Sequence, residues 1–168
     1  SWRGRQPSVY AMSAEGKLGV LKTVGGELSS APDWAPDGKR LDYTSDVDGN
    51  TEIYVIDRTT QRKRRLTHNR PIDTAPAFSP NGREIAFTSD RSGAPQIYLM
   101  DAEGLNVRRI SWVGNYNDSA AWSPQGDRLA FASRIDGSFQ IVVLELATER
   151  VTRLTRNEGN NENPRWSA

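Results

Sequence analysis

The chain has 168 residues, no cysteine, one histidine and a net charge of +1, enough for a core of ordinary size. Without cysteine it carries no disulfide, thiolate metal site or cysteine nucleophile, and a near-neutral charge gives no field to gather nucleic acid or an acidic membrane surface. No apolar run approaches the roughly 20 residues of a membrane span, and the N-terminal "SWRGRQPSVY" lacks the apolar core of a secretory signal.

Read along the chain, one pattern returns every 44 residues. Its first trace is Val9-Tyr10, which recurs as Ile53-Tyr54, Ile97-Tyr98 and Ile141-Val142. Trp34, Phe78, Trp122 and Trp166 hold the same spacing, with Pro36, Pro80 and Pro124 and Gly38, Gly82 and Gly126 in step. Residues 31–74 and 75–118 agree at 13 of 44 positions without a gap. Each unit predicts four short strands. In the second unit, strand a covers 75–79, and the turn "SPNGR" follows, with proline presetting φ and glycine taking the left-handed position. Strand b covers 84–89, a glycine-containing turn covers 90–95, and strand c covers 96–101. Strand c is bulky and mostly apolar, as a strand buried on both faces should be. The turn "AEGLN" leads to strand d at 107–111. Helical periodicity is absent, and short apolar runs between turn signals argue strands.

Four antiparallel strands in about 40–45 residues, repeated, predict an all-β fold: a β-propeller of four-stranded blades. The units run about 1–30 (partial), 31–74, 75–118 and 119–162, with 163–168 as a closing strand of a single domain. The large residue at 34, 78, 122 and 166 is expected to wedge between neighbouring blades. Arg65, Arg109 and Arg153 recur on strand d, where outer-edge charge discourages aggregation. Three closures stay open: a four-bladed ring, part of a larger propeller, or a homo-oligomer in which two chains complete each other's blades.

The wording "APAFSPNGREIAFTSDRSGAPQIYLMDAEG" resembles the TolB-like propeller repeat, also called PD40 or WD40-like. The likeness extends over essentially the whole chain, and "ENPRWSA" resembles the ending of such propellers. The resemblance implies a periplasmic, non-catalytic scaffold of the Tol–Pal system whose propeller docks the lipoprotein Pal. TolB proper has six blades and an N-terminal α/β domain, and neither is present in this sequence. Similar repeats also form the propellers of prolyl-oligopeptidase-like and tricorn-type peptidases and of some oligogalacturonide lyases. Those readings need a hydrolase domain, or a metal-binding histidine cluster that one histidine cannot supply.

Propeller topology puts the d–a and b–c loops on one face. The d–a loops "VGGELSS", "HNRPIDT", "VGNYNDS" and "NEGNNEN" differ from one another, and varied loops on a rigid scaffold are where binding is usually placed. The expected partner-binding positions are Ser29, Asp73, Asn117 and Asn161, followed by Ser30, Thr74, Asp118 and Glu162, with His68 and Tyr116 beside them. Trp112 flanks the same loops, as an anchor or as packing on the blade edge. "DVDGNTE" (46–52) has oxygen-bearing side chains but not the calcium-loop spacing, and a hairpin accounts for it. "RKRR" (62–65) reads as edge charge, since alternation splits the four side chains between two faces. No G-x-S-x-G elbow, phosphate loop or dinucleotide fingerprint occurs, so no catalytic residue, metal or cofactor is expected.

Overall fold

The structure, a computed structural model, describes residues 8–14, 18–22 and 29–167. Residues 1–7, 15–17 and 23–28 of the expected first unit, and residue 168, lie outside the described residues. A hairpin of β1 (Tyr10–Met12) and β2 (Leu18–Lys22) comes first. Three four-stranded antiparallel meanders follow. The first contains β3 (Ser29–Trp34), β4 (Arg40–Ser45), β5 (Glu52–Asp57) and β6 (Lys63–Arg65). The second contains β7 (Asp73–Phe78), β8 (Glu84–Ser89), β9 (Gln96–Asp101) and β10 (Arg108–Arg109). The third contains β11 (Asn117–Trp122), β12 (Arg128–Ile135), β13 (Ser138–Glu145) and β14 (Val151–Arg153). Among the described residues no helix is long and apolar enough to cross a membrane.

Alternation along the middle strands serves two different seams. In the first sheet, Leu41, Tyr43, Tyr54 and Ile56 pack with Val9 of the hairpin. The intervening Ile53 and Val55 pack instead with Phe78, Ile85, Phe87, Tyr98 and Met100 of the second sheet. One seam further on, Ala86, Ile97 and Leu99 meet Leu129, Phe131, Val142 and Leu144. Each blade therefore buries both faces only by stacking. Burying one such side chain is worth about 1.5–3 kcal/mol, so the seams carry most of the stability. The outward face of the third sheet differs: Leu154 is 60% exposed, whereas Leu66 and Ile110 at the matching positions are buried.

The large residue at the end of the inner strand wedges into a seam at Phe78, Trp122 and Trp166, whereas Trp34 is 42% exposed. The Trp122 indole N–H donates to the Ala77 carbonyl, and that of Trp166 to Ala121, both at 3.0 Å. The Phe78 amide crosses its seam to Asp33 Oδ2 at 2.9 Å. Residues 163–167 repeat the inner-strand conformation without joining a ladder, since among the described residues no strand pairs with them.

The three paired inner strands each carry a bulge, and residue 163 repeats its backbone conformation. Ala31, Ala75, Ser119 and Asn163 have φ of 47°, 50°, 57° and 54°, and the three ladders slip register there. A left-handed residue with a Cβ costs about 1–2 kcal/mol, so the surrounding sheet imposes this conformation. The c–d turn of the second sheet has a sharper requirement. Gly104 has φ +86°, and a Cβ there would lie 2.6 Å from the Leu66 carbonyl oxygen. Gly104→Ala is expected to destabilise by about 2 kcal/mol, read as a fall in melting temperature of roughly 4–8 °C in a chain of this size. An unchanged melting temperature would mean that the turn moves freely away from Leu66.

Candidate functional site at the channel mouth

The inner strands β3, β7 and β11, with residues 163–166, line a cavity of about 680 Å³. Its wall is mostly alanine, proline and tryptophan, interrupted by Asp33 and Arg165. The left-handed residues Ala31, Ala75, Ser119 and Asn163 all lie on this wall.

The expected site residues divide into two sets. Those at the first inner-strand position point into the protein. Ser29 is buried with its hydroxyl 3.4 Å from Ser45 Oγ. Asp73 is fully buried, held by the Arg91 guanidinium at 2.9 and 3.0 Å and by Asn69 Nδ2 at 2.8 Å. Asn117 is fully buried and donates to Gln96 Oε1 and to the Val113 carbonyl. Asn161 is half-buried, donating to Asn157 Oδ1 and the Gly159 carbonyl. Asp73, Asn117 and Asn161 bond to residues of their d–a loops, Ser29 joins its strand to the next, and burial leaves Ser29, Asp73 and Asn117 no surface for a partner.

The following residues lie at the seams. Thr74 Oγ1 sits 3.4 Å from Thr44 Oγ1, and Asp118 Oδ1 accepts from Thr88 Oγ1 at 2.8 Å, so each bridges to the preceding blade. Ser30, His68 and Glu162 are exposed. Tyr116 is half-buried with its ring edge-on to Phe139, centroids 5.4 Å apart. Burial and then the nearby carboxylates of Asp118 and Glu162 push its phenol up. Tyr116, Asp118 and Glu162 thus share one stretch of rim.

Two of the carboxylates of residues 46–52, Asp48 and Glu52, belong to one of the protein's own cations. Arg65 pairs with Glu52 at 2.7 Å and with Asp48 at 3.0 Å. Glu52 is fully buried and also accepts from the Asn69 amide and Thr67 Oγ1. The Tyr54 hydroxyl donates to Asp48 at 2.6 Å, which with Arg65 holds the Asp48 carboxyl below its usual range. Among the described residues no cluster of three potential metal ligands occurs. Arg65, Arg109 and Arg153 are half-buried staples and not merely edge charges, because each Nε–H donates to the carbonyl two residues on.

Sequence reasoning passed over two acids, Asp33 on the channel wall and Asp42 buried behind it. Asp33 and Asp42 face each other across β3 and β4, where the next two sheets have Ala77 opposite Ala86 and Ala121 opposite Ala130. Asp42 is fully buried, and neither oxygen has a hydrogen-bond partner. Acidic residues at positions that elsewhere hold alanine were the available signal.

The family model for the TolB beta propeller domain, PD40, matches residues 1–168. TolB from Acinetobacter baumannii is similar at a TM-score of 0.82 and 32% identity, over 92% of this chain and 39% of that one. A putative TolB from Agrobacterium tumefaciens gives 0.78 and 26%, over 90% and 57%. Among curated proteins, a TolB homolog from Protochlamydia amoebophila (strain UWE25) is 42% identical over 48 residues, which is 29% of this chain and 10% of that protein. The chain therefore spans well under two thirds of the length of each of these relatives.

Proposed function

This chain belongs to the TolB β-propeller family, and from that premise we propose that it is a non-catalytic docking module that receives a Pal-like lipoprotein in the periplasm. The observation that carries the reading is the set of d–a loops: they differ in sequence, while the inner strands that carry them repeat and wall a cavity of about 680 Å³. A rigid scaffold with variable loops suits recognition. In this reading the exposed Ser30, His68 and Glu162 touch the partner, with Thr74, Tyr116 and Asp118 at the rim. Ser29, Asp73, Asn117 and Asn161 shape the rim from beneath and act through it.

The test is a titration of the whole chain with the soluble domain of the Pal-like lipoprotein from the same organism. Ser30→Arg and Glu162→Lys change exposed side chains, so each should leave the melting temperature unchanged. Each is expected to weaken binding about tenfold, equivalent to about 1.4 kcal/mol. Parental affinity in both variants would remove this face from the interface, and no binding by the parent chain would reject the partner.

A further inference from the structure

The three stapled arginines have the same pose and different company. The Nε–H of Arg65 donates to Thr67 O at 2.7 Å, that of Arg109 to Ser111 O at 2.7 Å and that of Arg153 to Thr155 O at 2.8 Å. That bond holds the guanidinium fork, and in two of the three sheets the terminal nitrogens reach an acid of the b–c hairpin. In the first sheet those nitrogens meet Asp48 at 3.0 Å and Glu52 at 2.7 Å. In the third, Asp136 lies 3.4 Å from Arg153.

The second sheet has no such counter-charge. Ser92 and Gln96 stand at the places of Asp48 and Glu52. Gln96 Oε1 is already occupied, accepting from Ser111 Oγ and Asn117 Nδ2, both at 2.8 Å. Among the described residues no carboxylate pairs with Arg109. Its guanidinium lies instead over the indole of Trp112, 4.2 Å from the ring centroid. Trp112 is 71% exposed, the equal highest exposure of any large apolar residue described. In the b–c hairpin of this sheet a Cβ on Gly93 would meet nothing within 4 Å.

We infer that Arg109 and Trp112 form a receptor for an acidic, apolar segment of a partner protein, whose carboxylate takes in trans the place that Asp48 takes in cis beside Arg65. Arginine suits this because its fork donates two parallel bonds to a carboxylate. The indole contributes a rigid apolar platform at small entropic cost and keeps its stacking on the cation. The site lies on the d–a loop face, outward of the channel mouth. It rests on the reading of that face as partner-facing, and deepens it by naming the chemistry of the contact.

The experiment is NMR of the ¹⁵N-labelled whole chain, following the Arg109 Nε–H and Trp112 Nε1–H signals. The probes are the capped peptide acetyl-Gly-Asp-Leu-Gly-amide and its Asn counterpart. The Asp peptide is expected to shift both signals saturably, with a dissociation constant on the order of 1 mM, and the Asn peptide to bind about fivefold more weakly. Ser92→Asp supplies the carboxylate in cis and should abolish binding while keeping the fold. Arg109→Gln should abolish it as well. Equal binding of both peptides, binding to neither, or retention by Ser92→Asp would each overturn the inference. Glu162→Lys, which probes the channel mouth, should leave the peptide titration unchanged, so failure of the docking reading and failure of this site are distinguishable.

Discussion

Replacing Arg91 with alanine is expected to destabilise the chain by about 3 kcal/mol, because it strands a buried carboxylate. Asp73 is fully buried, and Arg91 contributes two of its three side-chain contacts. Arg91 itself is 24% exposed, so water partly compensates, and the cost falls at the low end of the range for broken buried pairs. The same guanidinium stacks over Phe87 at 5.3 Å and Tyr98 at 4.9 Å, which adds packing to what is lost. The repeat supplies its own control. The matching pairs are Ser29 with Val47, Asp73 with Arg91 and Asn117 with Ile135, so the cation occurs only where the acid does. The double substitution Asp73→Asn with Arg91→Ile copies the third sheet and should return to within about 1 kcal/mol of the parent, since it buries no unpaired charge. Urea unfolding of the parent, the single and the double variant measures all three. A single variant within about 0.5 kcal/mol of the parent would mean that the pair is merely a surface contact.

That co-variation within one chain explains what the sequence made legible and what it hid. Strands at 84–89 and 96–101 are found at those bounds, because alternating burial and flanking glycine turns both mark them. The inner strand starts at Asp73 and not at 75, because the ladder continues across a bulge at Ala75. A left-handed alanine gives no local signal of the kind a glycine gives. The outermost strand shrinks to Arg108–Arg109, since its sequence is polar and its edge unpaired. Asp73, Asn117 and Ser29 read as mouth residues because they stand among loop residues. Burial instead turns them inward, and only comparison of positions 29 with 47, 73 with 91 and 117 with 135 points to that. Asp33 and Asp42 were visible as acids at alanine positions, but only the fold makes them neighbours at a seam.

Asp42→Ala is expected to stabilise the chain by about 1–3 kcal/mol at pH 7, the usual cost of leaving a buried polar group unsatisfied. Asp42 shares a sheet face with Thr44, which reaches Thr74 across the seam, so its carboxyl lies against the second blade. Burial and then the charge of Asp33 hold that carboxyl well above its ordinary value, and nearby backbone amides only partly offset them. Asp33 is raised as well, by burial, with the Phe78 amide and Arg165 pulling it back. Arg40, on the same face two residues before Asp42, stacks over Phe78 and makes no bond to Asp42. A carboxyl raised in the folded state keeps its proton where the unfolded chain has released it. The stability it permits is therefore complete below the ordinary carboxylate pKa of about 4 and is lost as pH rises through the folded value. Melting temperatures of the parent should fall from pH 4 toward pH 8, and Asp42→Asn, which cannot ionise, should fall less steeply. Identical pH profiles for parent and Asp42→Asn would end this account. The loss should also be local. The first seam contains Asp42 where the second contains Ala86, packed with Ala120, so hydrogen exchange in β4 should quicken with pH beyond its intrinsic rise, while β8 keeps pace with that rise alone. The two seams share one repeat and differ at this position in charge, which makes the first blade the one that loosens first as pH rises.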